Sequence, residues 1–320
     1  MQAVFTLKEI LMKLTMKVTV SSTTDGQERF QLWRFIHKAR VLPKSGNRRV
    51  TKLIGTLTAL ILSFSNLNVC VADDLRAKVQ NPVSSMYSLP LKLTADFGAP
   101  NGSAYYINAN PVIPVTVGDW NLINRAIIPA WVSVDGYIEG TPDIPQGYPA
   151  DDRKNGLGDI NYSLFLSPNK TKPFIWGLGP SITLPTASED SLGAGKWSAG
   201  PTGVVLVQPG WGTYGGLVRQ LWSFDGDSDR VDVNQMLIEP FINYNLANGW
   251  YLITDMLITA NWDARSDQRW TIPVGGGAGK LFKIGNQPIN ARIEAYYNIE
   301  KPDGAPDWQT VFTFQFLFPK

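Results

Sequence analysis

The chain closes on Trp308-Gln-Thr-Val-Phe312-Thr-Phe314-Gln-Phe316-Leu-Phe318, a run whose aromatic residues fall on alternate positions. Period-two alternation is the signature of a strand. It puts Trp308, Phe312, Phe314, Phe316 and Phe318 on one sheet face, and Gln309, Val311, Thr313, Gln315 and Leu317 on the other. Water cannot solvate such an aromatic row, so the row requires either a protein core or hydrocarbon. Its place at the end of a chain with an export signal favours hydrocarbon.

That signal lies at residues 48–72. Arg48, Arg49 and Lys52 precede the apolar run from Leu53 to Phe64, and Cys70-Val-Ala72 supplies a small-residue approach to a cut before Asp73-Asp74. The pattern reads as a cleaved signal peptide. Residues 1–47 form a poorly defined extension, too long and too polar for an ordinary leader; a misassigned start and an extended signal both fit. Residues 73–320 are then the mature domain.

The cut changes the chemistry of the chain. Of 29 Lys+Arg and 27 Asp+Glu, residues 1–72 hold 11 and 3, which leaves 18 and 24 from residue 73 onward, a balance of −6. A basic nucleic-acid surface does not fit that balance. The only histidine, His37, and the only cysteine, Cys70, also fall before the cut. Zinc sites, disulfides and Ser-His or Cys-His catalysis therefore lack their parts, so no metal, cofactor or conventional enzyme activity is expected.

Past Ala72 no apolar run reaches the ~18 residues of a membrane helix, whereas alternating aromatic-rich segments recur. Strands in a bilayer must close into a barrel, because lipid cannot pair the polar groups of an open edge. The segments fall near residues 85–95, 104–117, 120–134, 157–167, 173–185, 196–208, 211–224, 231–245, 249–262, 270–282, 288–300 and 308–318. The expected fold is thus all-β, a transmembrane antiparallel up-and-down β-barrel of about twelve strands. Tight connections at Gly118-Asp119, Pro168-Asn169-Lys170, Pro209-Gly210, Ala247-Asn248-Gly249 and Gly285-Asn286-Gln287 alternate with longer polar ones. Short periplasmic turns and longer outer loops produce that rhythm in bacterial barrels. An even strand count returns both ends to the periplasm. The long loops carry much of the acid: Asp135, Glu139, Asp143, Asp151, Asp152, Glu189, Asp190, Asp225, Asp227, Asp229, Asp263, Asp267, Asp303 and Asp307. Solvated loops account for these carboxylates, and divalent ions bridging lipopolysaccharide would give them a function.

The alternation also assigns faces. In Trp250–Trp262 the two Trp residues bracket an apolar row while Asp255 and Asn261 lie opposite. Twelve steps of ~3.3 Å at a tilt near 45° project to roughly 28 Å, close to the apolar band of a barrel. Trp250, Trp262, Trp308 and Phe318 are the expected interfacial girdle. In Ile289–Ile299 the apolar row opposes Asn290, Arg292, Glu294, Tyr296 and Asn298. The same rule turns Arg125, Asp159, Arg219, Glu239 and Asp255 inward, since a lipid-facing charge costs a few kcal/mol at mid-bilayer. Seven inward charges suit either a paired network that plugs the lumen or a conduit with a charge filter.

Two glycine-bearing segments bear on the lumen. Val274-Gly-Gly-Gly-Ala-Gly-Lys280 fails the phosphate-loop pattern, because residue 274 is not glycine and Leu281 replaces Ser/Thr; its Gly275, Gly277 and Gly279 instead share one strand face. Gly177, Gly179, Ser181 and Thr183 leave small groups inward, which suggests a cavity beside that wall.

Several phrases carry a family resemblance: Asn121-Leu-Ile-Asn-Arg125-Ala-Ile-Ile-Pro129, Gly156-Leu-Gly-Asp159-Ile160, Gly179-Pro-Ser-Ile-Thr-Leu-Pro185-Thr186, Leu192-Gly-Ala-Gly-Lys-Trp197 and Leu221-Trp-Ser-Phe-Asp-Gly226. Asn248-Gly-Trp-Tyr251, Thr259-Ala-Asn-Trp262, Trp270-Thr-Ile-Pro-Val-Gly-Gly-Gly277, Tyr296-Tyr-Asn298 and Pro306-Asp-Trp308 continue it. From about residue 80 onward the chain resembles a bacterial outer-membrane transporter family named for a MetA pathway of phenol degradation. The resemblance implies a single barrel, no cofactor and a link to aromatic compounds, with no residue roles to carry over. One departure is the terminus, where Pro319-Lys320 follow Phe318 although barrel-assembly signals usually end on an aromatic residue.

The expected function is passive passage of small solutes, aromatic ones included, through an outer-membrane channel. Lipid, lipopolysaccharide, the barrel assembly machinery and the solute are its expected partners. A histidine-independent hydrolase built on a carboxylate pair, and a structural or adhesive barrel with a plugged lumen, are the rival readings.

Overall fold

The computed structural model describes residues 73–100, 102–135, 152–169 and 173–319. The export signal, the N-terminal extension, and the loop residues Glu139, Asp143 and Asp151 lie outside the described residues. A short helix, α1 (Asp73–Val79), precedes the strands. These are β1 (Tyr87–Ala99), β2 (Gly102–Ala109), β3 (Val112–Val117), β4 (Trp120–Val134), β5 (Lys154–Gly156), β6 (Ile160–Pro168), β7 (Phe174–Leu184), β8 (Lys196–Val207), β9 (Gly212–Gly226), β10 (Asn234–Asn245), β11 (Trp250–Asp255), β12 (Ile258–Asn261), β13 (Trp270–Ile284), β14 (Gln287–Glu300) and β15 (Trp308–Phe318).

Each strand pairs antiparallel with its chain neighbours, and β1 pairs with β15 from Tyr87 opposite Phe318 to Phe97 opposite Trp308. That seam closes the ring. The fifteen segments are twelve strands, since β2 with β3, β5 with β6, and β11 with β12 are each one strand interrupted. The bounds of β4 and β15 coincide with those read from the sequence.

The interruptions have local causes. Asn110-Pro111 separates β2 from β3, and a proline there offers no N–H to the ladder. Between β11 and β12, the register joining Phe241–Asp255 to Ile238–Ile258 puts Pro240 opposite Met256. On the other flank, Ile253–Gly277 and Thr259–Thr271 put Pro273 opposite Leu257. Two prolines thus remove donors from both sides of the same dipeptide. The β1–β2 connection also differs from the sequence reading: Ala99 pairs with Gly102, so this first outer turn is tight rather than long.

The two faces separate by polarity. On β15, Val311, Thr313 and Leu317 are buried inside the ring, while Phe318 is half exposed outside it. Leu93, Leu178, Val205, Val218, Ile242, Leu252 and Val274 make up part of an outward apolar surface. Toward the strand ends this surface turns aromatic. Trp262 meets Trp270 edge-on at 5.6 Å, and Tyr297 meets Trp308 at 4.8 Å, at the end bearing the long loops. At the short-turn end Trp120 meets Trp176 at 6.1 Å, and Trp211 stacks on Tyr214 at 5.7 Å. Trp250 sits there too, with the Lys280 ammonium 5.1 Å from its ring centre. Lys280 is a charge on the outer face that alternation alone would have forbidden; its place near the strand end, under an indole, makes it tolerable.

The inward glycines of β13 do not leave open lumen. A Cβ on Gly279 would stand 2.2 Å from Cζ of Tyr251, whose ring occupies the space. Gly279→Ala is expected to cost roughly 1–3 kcal/mol through overpacking. Gly210→Ala, in a turn where a Cβ meets nothing within 4 Å, should stay within about 0.5 kcal/mol. Urea unfolding in lipid vesicles, followed by Trp fluorescence, measures both.

Candidate functional site: a lumen divided by the N-terminal segment

The inner wall has two unlike halves. Ile123 on β4, Phe165 on β6, Val204 and Leu206 on β8, Leu217 on β9, and Leu237 and Phe241 on β10 form one apolar cluster. The opposite half, from β11 through β13, β14 and β15 to β1, presents Tyr251, Asp255, Asn290, Arg292, Glu294, Thr313, Gln315 and Lys92. An apolar patch facing a water-filled pore would be unstable. It is covered instead by residues from outside the barrel wall.

Those residues come from the stretch just before β1. In α1, Arg76 and Lys78 stand in the last turn, which suits the helix dipole, and Lys78 pairs with Asp74 at 2.7 Å. Seven residues are too few for an independent helix, so tertiary contacts must hold it. Leu75 and Val79 pack with Met86 against Leu281 and Leu317. Four hydrogen bonds tie the segment to the short-turn end of β8–β10. Arg76 Nη1 donates to Leu246 O (2.9 Å), Gln208 Nε2 to Ala77 O (2.7 Å), Gln80 Nε2 to Asn245 Oδ1 (2.9 Å), and Thr213 Oγ1 to Gln80 Oε1 (2.9 Å). After Pro82 the chain delivers Val83, 3% exposed, into the apolar cluster. A Cβ on Gly177 would lie 2.9 Å from Val83 Cγ1, so the space expected beside Gly177 is filled by Val83.

Beside the segment lies a cavity of about 140 Å³, lined by Tyr251, Asp255, Asn290 and Arg292 of the polar half and by Phe241 of the apolar cluster. Arg125, Glu239, Asp255 and Arg292 line it together with Lys78 and Lys92. Arg292 holds two carboxylates: Nη2 reaches Asp255 Oδ2 at 3.1 Å, and Nε stands 3.0 Å from Glu294 Oε1. Tyr296 donates to Glu294 Oε2 at 2.6 Å and accepts the Asp255 N–H at 2.9 Å. Tyr251 donates to Asn290 Oδ1 (2.6 Å), and Asn290 Nδ2 donates to Gln315 Oε1 (3.1 Å). Glu239 lines the same cavity as Asp255, and Lys92 and Arg125 line it with them. Part of the charge set is therefore a paired network, and part faces open space.

Of the seven inward charges read from the sequence, six bear on the lumen wall. Arg219 lies away from the cavity and donates through Nη1 to Asn161 Oδ1 at 2.8 Å, in a polar ladder with Ser163 and Ser181. Asp159 is elsewhere, in the gap between β5 and β6. Its carboxylate accepts the N–H groups of Ala187 (3.0 Å) and Ala194 (2.7 Å) and so clamps the β7–β8 loop. Burial pushes this carboxyl above its ordinary range, against the pull of those N–H groups and of Arg230. Trp250, Trp262, Trp308 and Phe318 all stand at strand ends.

Sequence reasoning missed Lys92 and the segment at 73–86. Both left a trace. Leu89, Leu91 and Leu93 alternate, which turns Lys92 to the other face, and Leu75, Val79 and Val83 recur every four residues. Among the described residues no cluster of His, Cys, Asp and Glu could hold a metal ion.

A family model, "Putative MetA-pathway of phenol degradation", matches residues 83–314. The chain belongs to this family. Its β1–β15 ring and the inner wall just described fall almost wholly inside the matched region. A solved structure titled the COG4313 outer membrane channel from Pseudomonas putida F1 shares the fold at a TM-score of 0.54, with 13% identity over 74% of this chain and 97% of that one. The P. putida toluene transporter TodX superposes at 0.36, with 9% identity over 72% of this chain and 88% of its own. Outer membrane phospholipase A from Escherichia coli superposes at 0.36, with 12% identity over 78% and 99%. No curated protein matches the chain.

If apolar packing holds the segment in place, Val83→Asp should release it, because an unpaired carboxylate in the apolar cluster is costly. Single-channel conductance should then rise at least about twofold above that of Val83→Ile. Equal conductance in the two variants would contradict packing as the tether.

Proposed function

We propose that this chain is a passive outer-membrane channel for small solutes that carry polar groups, aromatic ones among them. The observation that carries the reading is the arrangement of the lumen: the N-terminal segment packs on the apolar cluster and leaves a cavity lined largely by charged and hydrogen-bonding side chains. A polar wall lowers the desolvation cost of solutes that can replace water's hydrogen bonds, and disfavours bare hydrocarbon. Nothing in this arrangement supplies energy, so transport runs down the gradient.

In this reading the signal is cleaved after Ala72, the barrel assembly machinery inserts the mature chain, and the outward apolar band meets lipid with lipopolysaccharide around the acidic loops. The protein is not an enzyme. From residue 73 onward the sequence contains neither histidine nor cysteine, and the inner-wall carboxyl groups of Asp255 and Glu294 are engaged by Arg292 and Tyr296.

Purified protein in planar bilayers should give discrete conductance steps, and a bilayer that stays sealed at all voltages would overturn the channel. Asp255→Asn should shift the zero-current potential in a salt gradient toward anion preference, because it removes one negative charge from the cavity wall. An unchanged potential would place the conducting path elsewhere.

A further inference from the structure

Two cations of the cavity, Lys92 and Arg125, are held by no hydrogen bond and no close ion pair among the described residues. Arg292, by contrast, is held by Asp255 and Glu294. Two such cations in an enclosed polar space are an arrangement that attracts an anion.

A second set of groups points the same way. Thr313 is 2% exposed, its Oγ1 has no partner, and it lines the same cavity. Its ladder position lies between two cations, with Arg292 opposite on β14 and Lys92 opposite on β1. Ser84, 7% exposed, also lines the cavity with an unpartnered Oγ, as does Asn110 with an unpartnered Oδ1. A buried hydroxyl left unpaired is destabilising, and a bound polar group would remove that cost. The cavity lining therefore offers two cations and two hydroxyls, and with them the carboxyl groups of Glu239 and Asp255.

We propose that this space is a binding site for a small organic carboxylate that also carries a hydrogen-bond donor, with Lys92, Arg125 and Thr313 receiving the carboxylate and Glu239 and Asp255 facing the donor. The donor is needed because a purely anionic solute would meet the carboxyl pair with nothing to offer it. A hydroxycarboxylate or aminocarboxylate satisfies both sets of groups; a hydrocarbon satisfies neither. The proposal rests on the channel reading and narrows it to a substrate class.

Proteoliposomes containing the full mature chain test it, with uptake of radiolabelled 4-hydroxybenzoate, benzoate and neutral 4-hydroxybenzyl alcohol measured across a concentration range. Uptake of 4-hydroxybenzoate should saturate at a concentration at least about tenfold below that for either analogue. The double variant Lys92→Gln, Arg125→Gln should abolish that advantage, bringing the half-saturating concentration for 4-hydroxybenzoate to within about twofold of that for 4-hydroxybenzyl alcohol measured on the same variant. Lys92→Arg, Arg125→Lys should keep most of the advantage. Heat-modifiable migration on gels confirms that each variant is folded. Saturable preference lost only in the neutralised variant supports the site. Equal, non-saturating uptake of all three probes overturns the site and leaves the channel standing. Uptake of none of them, together with a sealed bilayer, overturns both.

Discussion

The antiparallel seam between β1 and β15 is the interaction on which the rest depends. Strands in hydrocarbon have no water to pair their N–H and C=O groups, and only a closed ladder removes the last open edge. The seam runs through eleven consecutive residue pairs without a bulge. This continuity fixes which row of each strand points inward, because a slip of one residue would turn Lys92, Thr94 and Asp96 to the lipid side. The inner-wall chemistry follows from the register of the two ends of the chain.

Closure also creates a problem that the N-terminal segment solves. A ring of twelve strands encloses more space than its own side chains fill, and half of this inner wall is apolar. The residues between the predicted cleavage point and β1 cover that half, with Val83 seated against Gly177 and Phe165. The covering is asymmetric, so it narrows the lumen without filling it. The polar half keeps its own order through Arg292, whose two carboxylate partners and Tyr296 form a network, while Lys92 and Arg125 line the cavity without a hydrogen bond or close ion pair among the described residues.

Much of this was legible in the sequence because period-two alternation is a direct consequence of strand geometry. The aromatic row of β15 and the Ile289–Ile299 segment gave their faces at once. Strand bounds were legible where turns carried Gly, Asn or Pro, as at β4. Interruptions were not, since Pro240 and Pro273 break β11–β12 only by lying opposite Met256 and Leu257, a relation that exists in register and not along the chain. Asp159 alternates like an inward residue, yet it caps a loop, because the strand stops before it and resumes after it. The occupancy of the lumen was the least legible feature. A glycine reports that a side chain is missing, and says nothing of what fills the gap.

The central claim is that hydrocarbon solvates one row of each strand and the lumen the other. From residue 73 onward the sequence contains no cysteine, so single-cysteine variants along β15 in a Cys70→Ser background report without interference. Spin labels at Thr313→Cys, Phe314→Cys, Gln315→Cys and Phe316→Cys in lipid vesicles should alternate in collision rate, with oxygen favoured at 314 and 316 and a polar nickel complex relatively favoured at 313 and 315. A profile without period two, or one in which 313 and 315 are the oxygen-favoured positions, would contradict the account.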